Sequence, residues 1–316
     1  YLVGGGVSAD LARCRLDAGA SYRRSLVLFS DVIQFGGFEQ QTTQYGTNLA
    51  CRLGSAITVR GGVTRAELEV VRGGTNAINS ERWTYTAGLG LNMRALGQVS
   101  LDGSLSDIDL TGRQVLTPTG LENDGLRQRS LRLGLQRQLG SRITVTLGGS
   151  LLDTAPKNPF NVIIVDGLPQ VVDRTSFKGA GYDAALNLRL SPRLNLTASA
   201  SRNVNANGFV GAQFQVIDVM DFRGSYDLGT RFTVSAGMSF RQSKFRGTVV
   251  TSLEPQRRVE DDFYRYYAQL SGKLGQRLTF ALSVNHNERR SNPSVFNFSS
   301  TGVGLNLGMQ FGRGAR

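Results

Sequence analysis

The segment from Gly302 to Phe311 alternates apolar and small or polar residues without a break. Its apolar positions are Val303, Leu305, Leu307, Met309 and Phe311. Successive side chains of a β-strand point to opposite faces, so this strand has one apolar face and one face of glycine, asparagine and glutamine. Such a strand fits a wall that separates an apolar phase from water.

The same alternation recurs along the chain, in runs longer than most strands of soluble proteins. It is clearest in the segments 82–94, 142–151, 194–201, 232–241 and 278–285. No stretch approaches 18 consecutive apolar residues, so the sequence predicts no transmembrane helix. A closed barrel is the other structure that can cross a bilayer, and its alternation is compatible with the mean hydropathy of −0.18.

Short turns recur roughly every 40 to 50 residues, for example at Leu53–Ala56, Leu139–Arg142 and Leu274–Arg277. Two long alternating segments and one longer, variable loop lie between successive turns. Short turns at one end and long loops at the other are typical of outer-membrane barrels. A soluble propeller has a similar period, but it requires four short strands per repeat. The predicted loops lie near residues 31–41, 73–81, 114–126, 154–176, 203–211, 246–261 and 291–297.

This pattern predicts an all-β fold, a transmembrane antiparallel up-and-down β-barrel. The segments give fifteen strands, from 1–8 to 298–311. Bacterial barrels usually have an even number of strands, so we expect about 16, within a range of 14 to 18. Residues 1–316 then form a single barrel domain that lacks its first strand or an N-terminal segment. Two breaks in alternation, near Gly61-Gly62 and near Asp218, are interpreted as β-bulges.

Seven aromatic residues are predicted to face outward near the long-loop ends of their strands. Rings that are apolar at one end and polar at the other favour the boundary between lipid and water, which predicts an aromatic girdle. These residues are Tyr22, Tyr45, Trp83, Tyr85, Tyr182, Tyr264 and Tyr266.

The chain has a formal net charge of +12, and only four of its 36 basic residues are lysines. The arginines are spread over many strands, which argues against a nucleic-acid surface. Ten basic residues are predicted to line the interior: Arg13, Arg15, Arg23, Arg94, Arg132, Arg189, Arg223, Arg241, Arg265 and Lys273. Acidic residues are predicted on the same face: Asp17, Glu67, Glu69, Asp102, Asp183, Asp221 and Asp227. Two interpretations stay open, an internal salt-bridge lattice and a pore that favours anions.

Cys14 and Cys51 are predicted to face outward on neighbouring strands, where a disulfide could form in an oxidising compartment. The alternative is a pair of lipid-facing thiols. His286 is the only histidine, so no histidine-based catalytic or metal site is expected. The acidic run 260–262 fits a solvated loop better than a cation site. The sequence thus predicts no catalytic residues, no metal, no cofactor and no enzymatic activity.

The last strand, with Val303, Leu305, Leu307, Met309 and Phe311, resembles the C-terminal signal that the barrel assembly machinery reads in Gram-negative outer-membrane proteins. The tail 312–316 departs from that pattern, because such strands usually end at the aromatic residue. The turn Leu190–Leu194, the related Leu-Gly-x-Arg turns and the loop Asn292–Phe296 resemble the family of β-barrel porins of type 2. Some members of that family accompany exopolysaccharide export loci.

The combined expectation is a bacterial outer-membrane pore, for anionic or polymeric substrates such as exopolysaccharide. The alternative is a structural barrel with a filled interior that anchors a larger envelope complex. The expected partners are outer-membrane lipid and lipopolysaccharide, the barrel assembly machinery, and other envelope or export proteins, with no nucleic acid.

Overall fold

A computed structural model describes residues 1–28, 37–72, 79–165, 168–206, 214–247, 259–275 and 278–309. Fifteen strands form one antiparallel sheet in which each strand pairs with its neighbour in sequence. The exception is a two-stranded hairpin, β9–β10, which lies outside the main sheet and leaves β8 paired with β11. The strands are β1 (Leu2–Leu11), β2 (Cys14–Leu28), β3 (Gly37–Leu53), β4 (Ile57–Arg72), β5 (Asn79–Met93), β6 (Gly97–Thr117), β7 (Gly120–Leu139), β8 (Ile143–Pro156), β9 (Phe160–Val165), β10 (Leu168–Asp173), β11 (Phe177–Arg189), β12 (Leu194–Ala206), β13 (Phe214–Leu228), β14 (Phe232–Arg246), β15 (Glu260–Leu274), β16 (Leu278–Asn292) and β17 (Phe298–Met309).

The fold is an all-β, up-and-down antiparallel barrel, as the alternation predicts, and the fifteen strands of the sheet match the number counted from the sequence. A 3₁₀ turn, Ser294–Phe296, precedes β17. Among the described residues, no helix is long and apolar enough to cross a bilayer.

The two faces of the sheet differ in chemistry along its whole width. Large apolar side chains on one face are exposed to the surroundings, such as Leu133, Leu151, Met238 and Leu305. Cross-strand partners share a face, so the register extends this apolar surface from strand to strand, for example through Leu131↔Leu151. The opposite face carries serine, threonine, asparagine and charged residues. We call these the outer face and the inner face.

The short turns occur where glycine allows a left-handed backbone. Gly54, Gly140, Gly229 and Gly275 have φ values between +66° and +81° and end β3, β7, β13 and β15. A side chain would strain such a conformation, which explains the recurrent glycine. The first turn differs, because it contains Ala12 at φ +53°. It lies at Ala12-Arg13, because β1 continues to Leu11, whereas the first predicted strand ends at residue 8.

Two of the predicted loops are largely β-structure. Residues 114–126 form the ends of β6 and β7, which meet at a tight turn between Thr117 and Gly120. Pro118 and Gly120 suit that turn, whereas the cluster of turn residues in the sequence predicts a longer loop. The predicted loop 154–176 contains the β9–β10 hairpin.

The two predicted bulges are wrong. The pairing of β4 continues without a shift through Gly61 and Gly62. The pairing of β13 continues likewise through Asp218. Register shifts occur instead at Glu39/Gln40 and between Leu110 and Gln114. At Gly61-Gly62 glycine keeps the register and only removes the side chains, which obscures the alternation in the sequence.

Candidate channel interior and its comparisons

The register decides which of the predicted basic residues belong to the inner face. Arg13 and Arg94 lie in turns just beyond the ends of β1 and β5. Eight others fall on the inner face: Arg15, Arg23, Arg132, Arg189, Arg223, Arg241, Arg265 and Lys273. Their role in a pore stays a prediction.

Four charged residues form a ladder across the inner face of β4 to β11. The guanidinium of Arg60 donates to the carboxylate of Asp102 at 2.8 Å and 2.6 Å. Arg132 lies 3.8 Å from Asp102 and donates to both oxygens of Asp183, at 2.7 Å and 2.5 Å. Planar guanidinium groups suit such bidentate contacts. This is the salt-bridge lattice that the sequence suggested, with Arg60 as a member that sequence reasoning missed.

Glycine makes the ladder sterically possible. Gly88 pairs with both Arg60 and Asp102, and Gly148 pairs with Asp183. A Cβ atom at Gly88 would lie 2.9 Å from Nε of Arg60 and would overlap the carboxylate of Asp102. The side chains of Arg60 and Asp102 can therefore meet across the intervening strand β5, because Gly88 has no side chain between them. An inward glycine between charged cross-strand neighbours is the signal that could have identified Arg60.

A second basic group lies at the short-turn end of β1, β2 and β3. Arg13 and Arg52 are adjacent across the strands, since the amide of Arg52 donates to the carbonyl of Arg13 at 2.8 Å. Within the described part of the chain, neither arginine forms an ion pair. Together with Arg15, Thr58 and other residues they line a pocket of about 930 Å³. Arg13 and Arg52 contribute to this pocket positive charge that no ion pair of the described residues offsets, and Asp10 also lines it.

A disulfide joins Cys14 to Cys51 next to this group, at a sequence separation of 37. The two cysteines are direct cross-strand partners on the outer face. Because their strand neighbours point inward, the bond fixes the register that places Arg15 beside Ala50 and Arg13 beside Arg52.

The loop-side end of the barrel contains a packed apolar core. Its buried members are Ile108, Leu110, Leu126, Val204, Phe214 and Val216, with Leu152 and Phe177 packed against them. Water-filled interiors do not require such a core, and the strand alternation gave no sign of it.

Two ion pairs near the loop side are almost completely buried. Arg174 contacts Asp124 at 2.6 Å, with side chains 3% and 1% exposed. Arg289 contacts Asp261 at 2.7 Å, and Ser291 also donates to Asp261. The guanidinium of Arg289 lies 6.0 Å from the ring centroid of Phe296. Asp261 thus belongs to a buried structural pair, whereas the sequence had suggested a solvated acidic run.

Lys157 follows β8 outside the spanning strands and contacts Asp107 and Asp109, the latter at 2.7 Å. Partial burial disfavours its charged form, but the hydrogen bonds that its ammonium group donates to both carboxylates outweigh that effect and raise the pKa of Lys157. These contacts join the segment after β8 to the outer face of β6 at the loop-side end of the barrel.

Two acidic residues, Glu67 and Glu69, are predicted to face the interior but lie on the outer face. In the backbone register Glu67 lies opposite Glu81, which shares the outer face of β5 with Trp83 and Tyr85. Glu69 lies two positions further along the same face of β4. A spanning strand needs only about 9 to 11 residues, so the loop-side part of a 16-residue strand such as β4 extends beyond lipid. Carboxylates on the outer face are solvated in that part of the strand. The rule that polar residues face the interior therefore does not apply there.

All seven predicted girdle residues have outer-face register: Tyr22, Tyr45, Trp83, Tyr85, Tyr182, Tyr264 and Tyr266. Several have aromatic neighbours, such as Phe240 beside Tyr264 with ring centroids 5.1 Å apart. His286 stacks on Tyr266 and its Nδ1 lies 2.9 Å from the hydroxyl of Thr301.

Val303, Leu305, Leu307 and Met309 of the proposed assembly signal lie on the outer face of β17, and Phe311 lies outside the described residues. In the described part of the chain, no three His, Cys, Asp or Glu residues come together as metal ligands would.

Comparison with solved structures identifies the architecture. The protein is similar to the alcaligin outer membrane receptor FauA from Bordetella pertussis, with a TM-score of 0.58 and 12% identity over 99% of this chain and 57% of FauA. It is similar to the FrpB iron transporter from Neisseria meningitidis, with a TM-score of 0.55 and 13% identity over 92% of this chain and 52% of FrpB. A mutant form of the ferric enterobactin receptor PfeA from Pseudomonas aeruginosa gives a TM-score of 0.52 and 13% identity, over 92% of this chain and 50% of PfeA.

The chain therefore spans little more than half the length of these proteins, and the likeness concerns the fold. No curated protein matches the sequence. Residues 174–311 match the model of a family described as Putative beta-barrel porin 2. The chain thus has the fold of an outer-membrane β-barrel, and across residues 174–311 it resembles the Putative beta-barrel porin 2 family.

Proposed function

We propose that the protein is an outer-membrane channel with a preference for anionic solutes. The observation that carries this proposal is a group of basic residues on the inner face or at its short-turn end that form no ion pair in the described part of the chain, among them Arg13, Arg23, Arg52, Arg82, Arg189, Arg223, Arg265 and Lys273. Four acidic residues of the inner face form no ion pair in the same part of the chain: Asp10, Glu122, Asp221 and Asp227. The uncompensated charge of the interior is therefore positive.

The heights of these residues favour an extended substrate. Arg23 lies toward the loop side, Arg223 and Arg265 lie midway along their strands, and Arg189 and Lys273 lie at the short-turn end. A polymer with repeated negative charges could pass from one guanidinium to the next. We accordingly propose acidic polymers, such as anionic exopolysaccharide, as the substrate class.

The membrane contacts follow from the outer face. We propose that outer-membrane lipid and lipopolysaccharide cover the exposed apolar belt, and that the alternating side chains of β17 guide insertion by the barrel assembly machinery. Envelope or export proteins would meet the loop and turn ends of the barrel.

A second function has one observation in its favour. The apolar core and the buried pair Arg289–Asp261 fill part of the loop-side end. If the loop-side end stays closed to solutes at all times, the barrel would serve as a structural anchor within an envelope complex.

Ion selectivity in planar bilayers separates the two functions. The wild type should conduct, and its reversal potential in a salt gradient should indicate anion preference. The double variant Arg13→Gln/Arg52→Gln should weaken that preference, while Asp102→Asn should strengthen it by freeing Arg60 and leaving Arg132 paired with Asp183. Polygalacturonate should block the current more strongly than neutral dextran of similar size. Absence of any current from well-folded protein would exclude the channel and favour the anchor.

A further inference from the structure

The wall of the barrel separates between β11 and β12 at the loop side. The two strands pair only from Tyr182↔Arg202 to Arg189↔Asn195. Beyond this point β11 continues to Phe177 in contact with β8, and β12 continues to Ala206 in contact with β13. The backbone ladder therefore ends at a seam, although both strands continue.

The residues that meet beyond the seam come from opposite faces of the sheet. Ile108 and Leu126 share the inner face with the polar residues of β6 and β7. Val204 and Val216 pair with each other and share the outer face with Met220. All four belong to one buried apolar core.

An inner face can contact an outer face only where the sheet overlaps itself. The loop-side end of β12–β13 must therefore form an inner layer beneath β6, β7, β8 and β11. Two further contacts join the layers. Nε2 of Gln128 donates to the carbonyl of Val204 at 3.0 Å, and the rings of Phe177 and Phe214 lie 6.4 Å apart.

Both faces of β13 are buried in this region. Phe214 and Val216 of the outer face are 0% and 6% exposed, and Ile217 of the inner face is 5% exposed. A single wall strand with water on both sides would be exposed on both faces. The loop-side end of β13 is thus buried on both faces within the packed loop-side end of the barrel.

A polar contact fixes the base of the seam. Nε of Arg202 donates to Asp218 at 2.7 Å, and the hydroxyl of Tyr182 donates to the same oxygen at 3.1 Å. Above this contact, side chains hold the inner layer to β11 in place of a backbone ladder. Such an attachment is easier to open than the paired wall.

We propose that the loop-side end of β12–β13 is a docked inner layer that determines the size of solute admitted at the loop-side mouth, with Val204, Phe214 and Val216 as the residues that dock it. This inference rests on the proposed channel function for its effect on transport, but the docking itself can be measured without transport.

The docking is tested by cysteine labelling of folded protein in vesicles with a membrane-impermeant maleimide. Val204→Cys should react at least tenfold more slowly than Asn205→Cys, its exposed neighbour on β12. Adding Val216→Asp should remove most of this difference, because a carboxylate cannot stay in an apolar core. Adding Gln215→Asp, which places the same charge on the other face of β13, should preserve it. Equal labelling of positions 204 and 205 in the parent protein would overturn the docked layer.

The effect on transport is tested by vesicle swelling with neutral sugars of increasing size. Val216→Asp should admit larger sugars than the wild type and should raise single-channel conductance at least twofold, whereas Gln215→Asp should match the wild type. Slow labelling of position 204 combined with an unchanged size limit in Val216→Asp would refute the gating role alone. A complete lack of swelling in every variant would refute the channel function and, with it, the effect on transport.

Discussion

Arg132 on β7 holds Asp183 on β11 by two hydrogen bonds of 2.7 Å and 2.5 Å that pass over Gly148 of the intervening strand β8. A Cβ atom at Gly148 would lie 2.8 Å from Nη2 of Arg132 and would overlap the carboxylate of Asp183. The pair therefore depends on a residue that takes no part in it. Positive and negative residues that neutralise each other in this way stiffen the wall and remove their charge from the pore.

Replacing Gly148 by alanine should break this bidentate pair while leaving the strand intact. The expected cost is about 1 kcal/mol in the free energy of unfolding, the upper end of the range for ion pairs that keep contact with water. Urea unfolding in detergent or lipid, followed by tryptophan fluorescence, measures it. Gly149→Ala is the matched control, because nothing lies within 4 Å of a Cβ atom there. Equal stability of the two variants would mean that the ladder contributes nothing.

Alternation along the sequence is sufficient to predict the class of fold, the fifteen strands and the face of most residues. It works because every strand faces two different media, so each position carries information about its surroundings. Trp83 and Tyr85, for example, could be placed on the outer face from their own strand alone.

The same rule fails where the medium is the same on both sides. Beyond the lipid, Glu67 and Glu69 meet water on the outer face, so polarity no longer distinguishes outside from inside. Ile108 and Leu110 are apolar at inner-face positions because the sheet overlaps itself there. That contact joins strands far apart in sequence, and no local pattern reports it.

The assignment of the lipid-facing side can be tested with two neighbouring residues of β8. Leu147 lies on the outer face and is 48% exposed, whereas Thr146 lies on the inner face beside Gln136 and Ala185. Leu147→Arg should destabilise the membrane-inserted protein by about 2–4 kcal/mol, because the charge must enter hydrocarbon. Thr146→Arg should fold into vesicles with little loss, since its side chain reaches the interior. The measurement is urea unfolding in lipid vesicles, and a reversed order of the two stabilities would contradict the proposed orientation.

The disulfide between Cys14 and Cys51 should stabilise the barrel by limiting its unfolded state. The residues are 37 apart in sequence, and closing a loop of this length contributes about 3–4 kcal/mol in the chain-entropy model. Cys14→Ser/Cys51→Ser should therefore unfold at a lower urea concentration than the oxidised wild type. Reduced wild type should behave like the double variant, which separates the bond from the substituted side chains. The variant should also show a weaker anion preference, because the bond fixes the strands that hold Arg13 beside Arg52. If anion preference stays unchanged while stability falls, the bond supports the fold without organising the arginine group.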